Sequence, residues 1–213
     1  MTDGPPADLR TAISATLHET LSEARDLGFL GPGPIDEHVR RALDLAVATD
    51  GAPARALDLG SGGGVPGLPL MLLWPLSRWV LLEAGRRRAA FLKEALAALG
   101  LVDRAEVALE RAETAARSKL RGAFDLVVAR GFAGPAVTAE CGSGFLRPGG
   151  RMIVAEPPGG APSRWDPAGL GELGMVIGTA FHSPTASQVL LQEQACPDRY
   201  PRRVGVPAKR PLW

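Results

Sequence analysis

The stretch Leu57-Asp58-Leu59-Gly60-Ser61-Gly62-Gly63-Gly64-Val65-Pro66-Gly67 decides the fold. An apolar run ends in an acid, a glycine turn follows, and Pro66 and Pro69 stand where a helix opens, since first-turn N–H groups need no intrahelical partner. Glycines there let the backbone turn sharply and approach a ligand closely, at the mouth where open α/β sheets bind their ligands. A nucleotide-like ligand is implied. The dinucleotide spacing GxGxxG is met only loosely, through Gly60, Gly62 and, two positions late, Gly67. Glu83 closes the next apolar run 25 residues after Asp58, where an acid accepts hydrogen bonds from ribose hydroxyls.

Outward from this stretch the pattern alternates. Strands are predicted at Ala54–Leu59, Trp79–Glu83, Ala105–Leu109, Phe124–Ala129 and Arg151–Ala155, with helices at Pro66–Leu73, Arg87–Leu99 and Ala136–Phe145. Short apolar strands separated by helices imply an α/β fold, a mostly parallel sheet with helices on both faces. Past Pro162 the alternation stops. Met175–Phe181 and Gln188–Gln194 then read as an antiparallel hairpin on the sheet edge, joined by HSPTAS (182–187). Ahead of the sheet, apolar spacings of three and four predict helices over Ala7–Leu27 and Ile35–Ala48, broken by GFLGPGP (28–34). The expected organisation is one domain over 1–213. It comprises a helical N-terminal extension (1–50) that covers the active site, a cofactor-binding core (54–195) and a basic, proline-rich tail (196–213) running over the surface.

Composition narrows the class. The chain has 213 residues, 46% of them hydrophobic, which supports a packed core despite 26 glycines and 19 prolines. Two cysteines without a CxxC, and three dispersed histidines, signal neither a disulfide framework nor a zinc site, and fit a reducing cytoplasm. The uncharged run from Leu59 to Ser77 has the length of a membrane span but is broken by five glycines and three prolines, so no membrane partner is expected. The net charge of +1 hides an asymmetry: residues 1–50 carry four arginines against nine acids, and the remainder is mildly basic.

The D-x-G-x-G-x-G form is similar to the S-adenosyl-L-methionine site of class I methyltransferases. LDLGSGGGVPGLPL (57–70), RRRAAFLKEALAALGL (86–101), ERAE (110–113), FDLVVARGFA (124–133), FLRPGGR (145–151) and YPRRVGVPAKRPL (200–212) together resemble the glucose-inhibited division protein B family. That resemblance covers about residues 54–155 and the tail. It implies a Rossmann-like class I methyltransferase that modifies guanine N7 in small-subunit ribosomal RNA. It places Gly60 and Val65 at the methionine and ribose part of the cofactor, Ala112 and Glu113 at the adenine end, and Arg130 at the mouth, where it is the candidate catalytic residue. With Asp58, Gly62 and Glu83 these make up the expected cofactor site; no metal is expected.

Two departures leave the acceptor open. The family's Asn-Leu-Thr segment has no counterpart in GFLGPGPIDEH (28–38), and Glu156 stands where a lysine is usual after the fifth strand. A small-molecule N- or O-methyltransferase with a rebuilt acceptor site is therefore the alternative to an rRNA or small-subunit partner, and a non-catalytic binding protein is a third reading. Guanine N7 carries a lone pair and no proton, so positioning suffices and no general base is required. Among the remaining residues, His38 and His182 read as ordinary surface or core-edge histidines, Arg86 to Arg88 as a solvated helix face, and Cys141 as a small buried residue. The tail cations Arg199, Arg202, Arg203, Lys209 and Arg210 are expected to project to solvent or fold back on the crevice rim, in a segment that does not pack as a helix.

Overall fold

The computed structural model describes residues 15–157, 162–182 and 185–213. The first eight residues of the expected Ala7–Leu27 helix, residues 158–160 of AEPPGG and residues 183–184 of the 182–187 loop lie outside them.

Seven strands form one sheet in the order β3-β2-β1-β4-β5-β7-β6. The strands are β1 (Arg55–Leu59), β2 (Arg78–Glu83), β3 (Ala105–Leu109), β4 (Phe124–Ala129), β5 (Leu146–Ala155), β6 (Met175–Phe181) and β7 (Ser187–Gln192). The first five run parallel, and β7 enters antiparallel between β5 and β6. The chain starts in the centre at β1 and moves outward to β3, then crosses to β4 on the other side, so the switch point falls between β1 and β4. Ligands bind outside the carboxyl ends of the strands at such a point, and the glycine stretch leaves β1 there.

Alternate residues of each strand face opposite layers. Ala56, Leu81, Leu126, Val128 and Ile153 pack with α1 (Ala15–Asp26), α2 (Ile35–Asp44), α3 (Gly67–Leu73) and α4 (Arg86–Ala98). Leu57, Leu59, Val80, Leu82, Val127 and Met152 pack on the other face with α5 (Ala112–Ala115), α6 (Pro135–Ser143), α7 (Pro167–Glu172) and the tail residue Tyr200. Each fully buried aliphatic side chain contributes roughly 1.5–3 kcal/mol. The sheet is sealed on both faces, leaving its carboxyl rim for chemistry.

Three sequence expectations shift. β5 begins at Leu146, not Arg151, because pairing with β4 jumps from Phe124↔Leu146 to Leu126↔Arg151 and the intervening Arg-Pro-Gly-Gly is looped out as an irregularity within one strand. The short helices α5 and α7 are too brief to show periodicity. The tail does form a helical turn, α8 (Val206–Lys209), with Pro207 inside its first turn. No helix among the described residues is long and apolar enough to cross a membrane.

Candidate active site

Asp58 is the last but one residue of β1, and its side chain turns under the glycine stretch. Its Oδ2 accepts the Gly67 amide at 3.0 Å, and a Cβ on Gly67 would stand 2.6 Å from that oxygen. The glycine that arrives two positions late for a dinucleotide motif is thus required by the close approach of Asp58 and Leu81. Asp58 is 1% exposed, and burial pushes its carboxyl up to about 7, against the pull of the Gly67 amide and the Arg130 guanidinium. It anchors the turn from beneath and does not line the crevice.

Glu83 ends β2 beside that turn. Its Oε2 accepts the Gly62 amide at 3.0 Å and its Oε1 the Gly85 amide at 2.7 Å, while the Arg88 guanidinium pairs with Oε1 at 2.9 Å. Both oxygens are therefore oriented before any ligand arrives. Gly60 (φ +73°) turns the chain out of β1, and a Cβ there would stand 2.6 Å from the Phe132 ring, so glycine permits Phe132 to lie against the backbone.

Between these elements opens a crevice of about 530 Å³, lined by Gly60, Gly62, Val65, Glu83, Arg88 and Arg130, and by Phe29, Leu30 and Gly31 of the loop joining α1 to α2. A smaller cavity of about 210 Å³ adjoins it, sharing Gly60, Ala84, Arg111 and Phe132. A third cavity of about 340 Å³ lies at the starts of the strands, around Arg55, Arg78 and Arg104, at the end of the sheet remote from the switch point.

Arg130 follows β4 and reaches the crevice mouth. Its Nη1 donates to His38 Nδ1 at 3.2 Å, and His38 Nε2 lies 3.1 Å from the Gly31 carbonyl. A guanidinium only donates, so Nδ1 is the acceptor and Nε2 carries the proton given to Gly31. Burial, and then Arg130, hold His38 below its usual 6.5, which keeps the imidazole neutral at physiological pH. This relay ties the loop of the N-terminal helices to the end of β4, and His38, which reads from the sequence as an ordinary surface or core-edge histidine, stands at the site. Its signal is spatial, since 92 residues separate it from Arg130.

Ala112 lines the smaller cavity with Glu113, but the Glu113 Oε1 is directed to the tail, where it accepts the Gly205 amide at 2.9 Å. Arg88, expected on a solvated face, is paired with Glu83. Cys141 is buried, with its thiol pushed up to about 12 by burial, which disqualifies it as a nucleophile. Glu156 accepts hydrogen bonds from Trp165 Nε1 at 2.9 Å and from Arg164, so its carboxylate holds the segment after β5. In the tail, Arg202 departs from the expectation, being locked to buried Glu140, whereas Arg199, over the Tyr200 ring at 5.0 Å, and Arg203, Lys209 and Arg210 are exposed as expected. The carbonyls of Cys196 to Pro201 are capped by Arg117 and Arg121, so the segment is fastened to the body. No cluster of metal-ligating side chains occurs among the described residues.

A mostly parallel sheet with a switch point between β1 and β4, a glycine turn over a strand-ending acid, and a second acid at the end of β2 define a class I S-adenosylmethionine-dependent methyltransferase. The fold agrees with solved structures. SAH-bound Podospora anserina methyltransferase PaMTH1 superposes with a TM-score of 0.59 at 18% identity, over 90% of this chain and 99% of that one. An O-methyltransferase from Bacillus cereus in complex with SAH gives 0.57 at 17% identity, over 83% and 90%. The profile of the family described as rRNA small subunit methyltransferase G (GidB) matches residues 34–156. The ribosomal RNA small subunit methyltransferase G of Moorella thermoacetica is 39% identical over 186 residues, 83% of this chain and 77% of the relative. That of Syntrophomonas wolfei is 31% identical over 188 residues, 85% and 87%. The chain belongs to the rRNA small subunit methyltransferase G family.

Proposed function

We propose that this chain transfers the methyl group of S-adenosylmethionine to N7 of a guanine in small-subunit ribosomal RNA. The observation that carries the reading is the pre-set Glu83 carboxylate under the Gly62 amide, with Arg130 at the same crevice. Oε2 has one protein partner there and retains lone pairs for a ribose diol. Gly60, Gly62 and Val65 line the part of the crevice that suits the methionine and ribose portion, and Ala112 the cavity that suits the base; Asp58 acts by holding the turn.

The cofactor supplies an electrophilic methyl on a sulfonium. Held by Glu83 and the glycine turn, it would offer that methyl to the N7 lone pair and leave as S-adenosylhomocysteine, the positive charge passing to the 7-methylguanine ring. No proton moves. In keeping with that, His38, the imidazole at the mouth, has both ring nitrogens engaged. Arg130 keeps donors free of His38 to orient the acceptor or the cofactor carboxylate. Arg86 and Arg87, exposed at the start of α4, offer charges to phosphates beside the mouth. Because Glu156 is consumed by Arg164 and Trp165, its presence in place of a lysine does not speak for a non-anionic acceptor.

The test is to incubate the protein with methyl-labelled cofactor and, separately, small ribosomal subunits, naked rRNA and a metabolite extract. Label in the RNA of the first or second supports the reading; label in the extract alone overturns it in favour of a small-molecule acceptor.

A further inference from the structure

The smaller cavity has a wall from the far end of the chain. Gly60, Leu82, Ala84 and Phe132, near the sheet rim, line its about 210 Å³ together with Ala208 of α8, which is exposed on its other side. Ala208 stands there because the tail is pinned on both sides of it. Glu140, 0% exposed, accepts three hydrogen bonds from Arg202, from the amide at 2.8 Å, Nε at 2.9 Å and Nη2 at 2.6 Å. Three residues on, Glu113 accepts the Gly205 amide, and Gly205, at φ +78°, turns the chain into α8. Beyond α8, Arg202 Nη2 donates to the Arg210 carbonyl at 2.7 Å. Arg117 and Arg121, donating to the carbonyls before Arg202, fix the approach from the other side. A four-residue turn held by two buried carboxylates is not a loose surface strand.

We propose that Ala208, held in place by the C-terminal turn, is a fixed wall of the adenine end of the cofactor site and sets how large a base that end admits. The inference rests on the cofactor reading above, which puts the ribose at Glu83 and leaves the adjoining cavity for the base. The chemistry of the cavity suits a flat, uncharged ring. Leu82, Phe132, Val137 and Ala208 present apolar surface for the faces of such a ring, Cys141 beside them stays a neutral thiol, and Glu110, Arg111 and Glu113 add polar groups to the lining. Glu113 then serves the base indirectly. Its carboxylate is a positioning group that carries Gly205, and through it Ala208, rather than a partner of the adenine.

The test measures binding of S-adenosylhomocysteine and of 5′-methylthioadenosine by calorimetry to the parent, Ala208→Leu, Ala208→Trp and Lys209→Trp. Both ligands carry the adenosine, and only the first carries the amino acid. Ala208→Trp is expected to weaken both by about tenfold or more, equally, and Ala208→Leu by less, with melting temperatures near the parent's. Lys209→Trp, one residue on and outside the cavity, is expected to bind both as the parent does. Unchanged binding by both Ala208 variants overturns the wall. Weakening of S-adenosylhomocysteine alone also overturns it, because the turn would then face the amino acid portion. If the parent binds neither ligand, the cofactor reading itself fails and takes the wall with it.

Discussion

Replacing Asp58 with asparagine isolates the energetic consequence of burying an acid beneath the glycine turn. Burial raises its folded-state pKa from 3.8 to about 7. A group with a raised folded pKa contributes fully to stability below its unfolded pKa and loses that contribution as pH climbs through the folded one. Between pH 3.8 and about 7 the unfolded chain has released this proton while the folded chain retains it, which costs about 1.36 kcal/mol per pH unit. Above that range both states are ionised and the loss is constant. Asparagine resembles the protonated acid in shape and keeps an oxygen for the Gly67 amide, but it does not titrate. The stability difference, variant minus parent, should therefore grow in the variant's favour by about 3 kcal/mol between pH 5 and pH 9, nearly all of it below pH 7.5. Urea unfolding of both proteins across that range, with equal denaturant slopes, gives the difference directly. A gap that stays flat with pH, or one that moves in the parent's favour as pH rises, would refute the claim that Asp58 is a desolvated anchor.

Three further outcomes follow from the same contacts. Arg202→Ala leaves Glu140 buried without its counter-charge and should cost about 3–5 kcal/mol of stability, measured by urea unfolding, whereas the Arg202→Met/Glu140→Gln pair should recover most of it. Acidification through the lowered pKa of His38 converts Nδ1 from acceptor to donor against Arg130, so methyl transfer should fall on the acid side, and His38→Asn should remove that decline while raising the KM for cofactor. Glu83→Ala releases the Gly62 and Gly85 amides and should weaken S-adenosylhomocysteine binding by tenfold or more, about 1.5–3 kcal/mol for a hydrogen bond to a charged group; binding equal to the parent's would move the ribose elsewhere.

What the sequence disclosed and what it concealed divide along physical lines. The alternation of apolar runs with helices exposes the sheet, since both faces must be sealed and the chain shows that period directly. Glu83 is legible as a site candidate because it closes a strand at the carboxyl rim, beside the glycine turn. Asp58 was legible as important but not in its role, because its partner Gly67 is recognised only once the turn folds over it. His38 reads as one more polar residue on an amphipathic helix until β4 brings Arg130 to it. In the tail four of the five cations are exposed as their setting suggests, and only Arg202 and the helical turn after it escape a local reading. Its prolines and cations match an exposed segment, and nothing local reveals that Glu140, on a helix more than sixty positions earlier by the register of Arg202 and Glu140, is buried to receive one of them. Long-range ion pairs leave no periodic trace, so the wall at Ala208 was invisible from sequence.

The most direct test of the central claim is nucleoside mass spectrometry of small-subunit rRNA from cells lacking this gene, before and after the gene is restored. The account predicts that 7-methylguanosine rises on restoration and fails to rise with the Glu83→Ala variant. A different methylated nucleoside, or no change in the rRNA beside methylation of a small molecule, would contradict it.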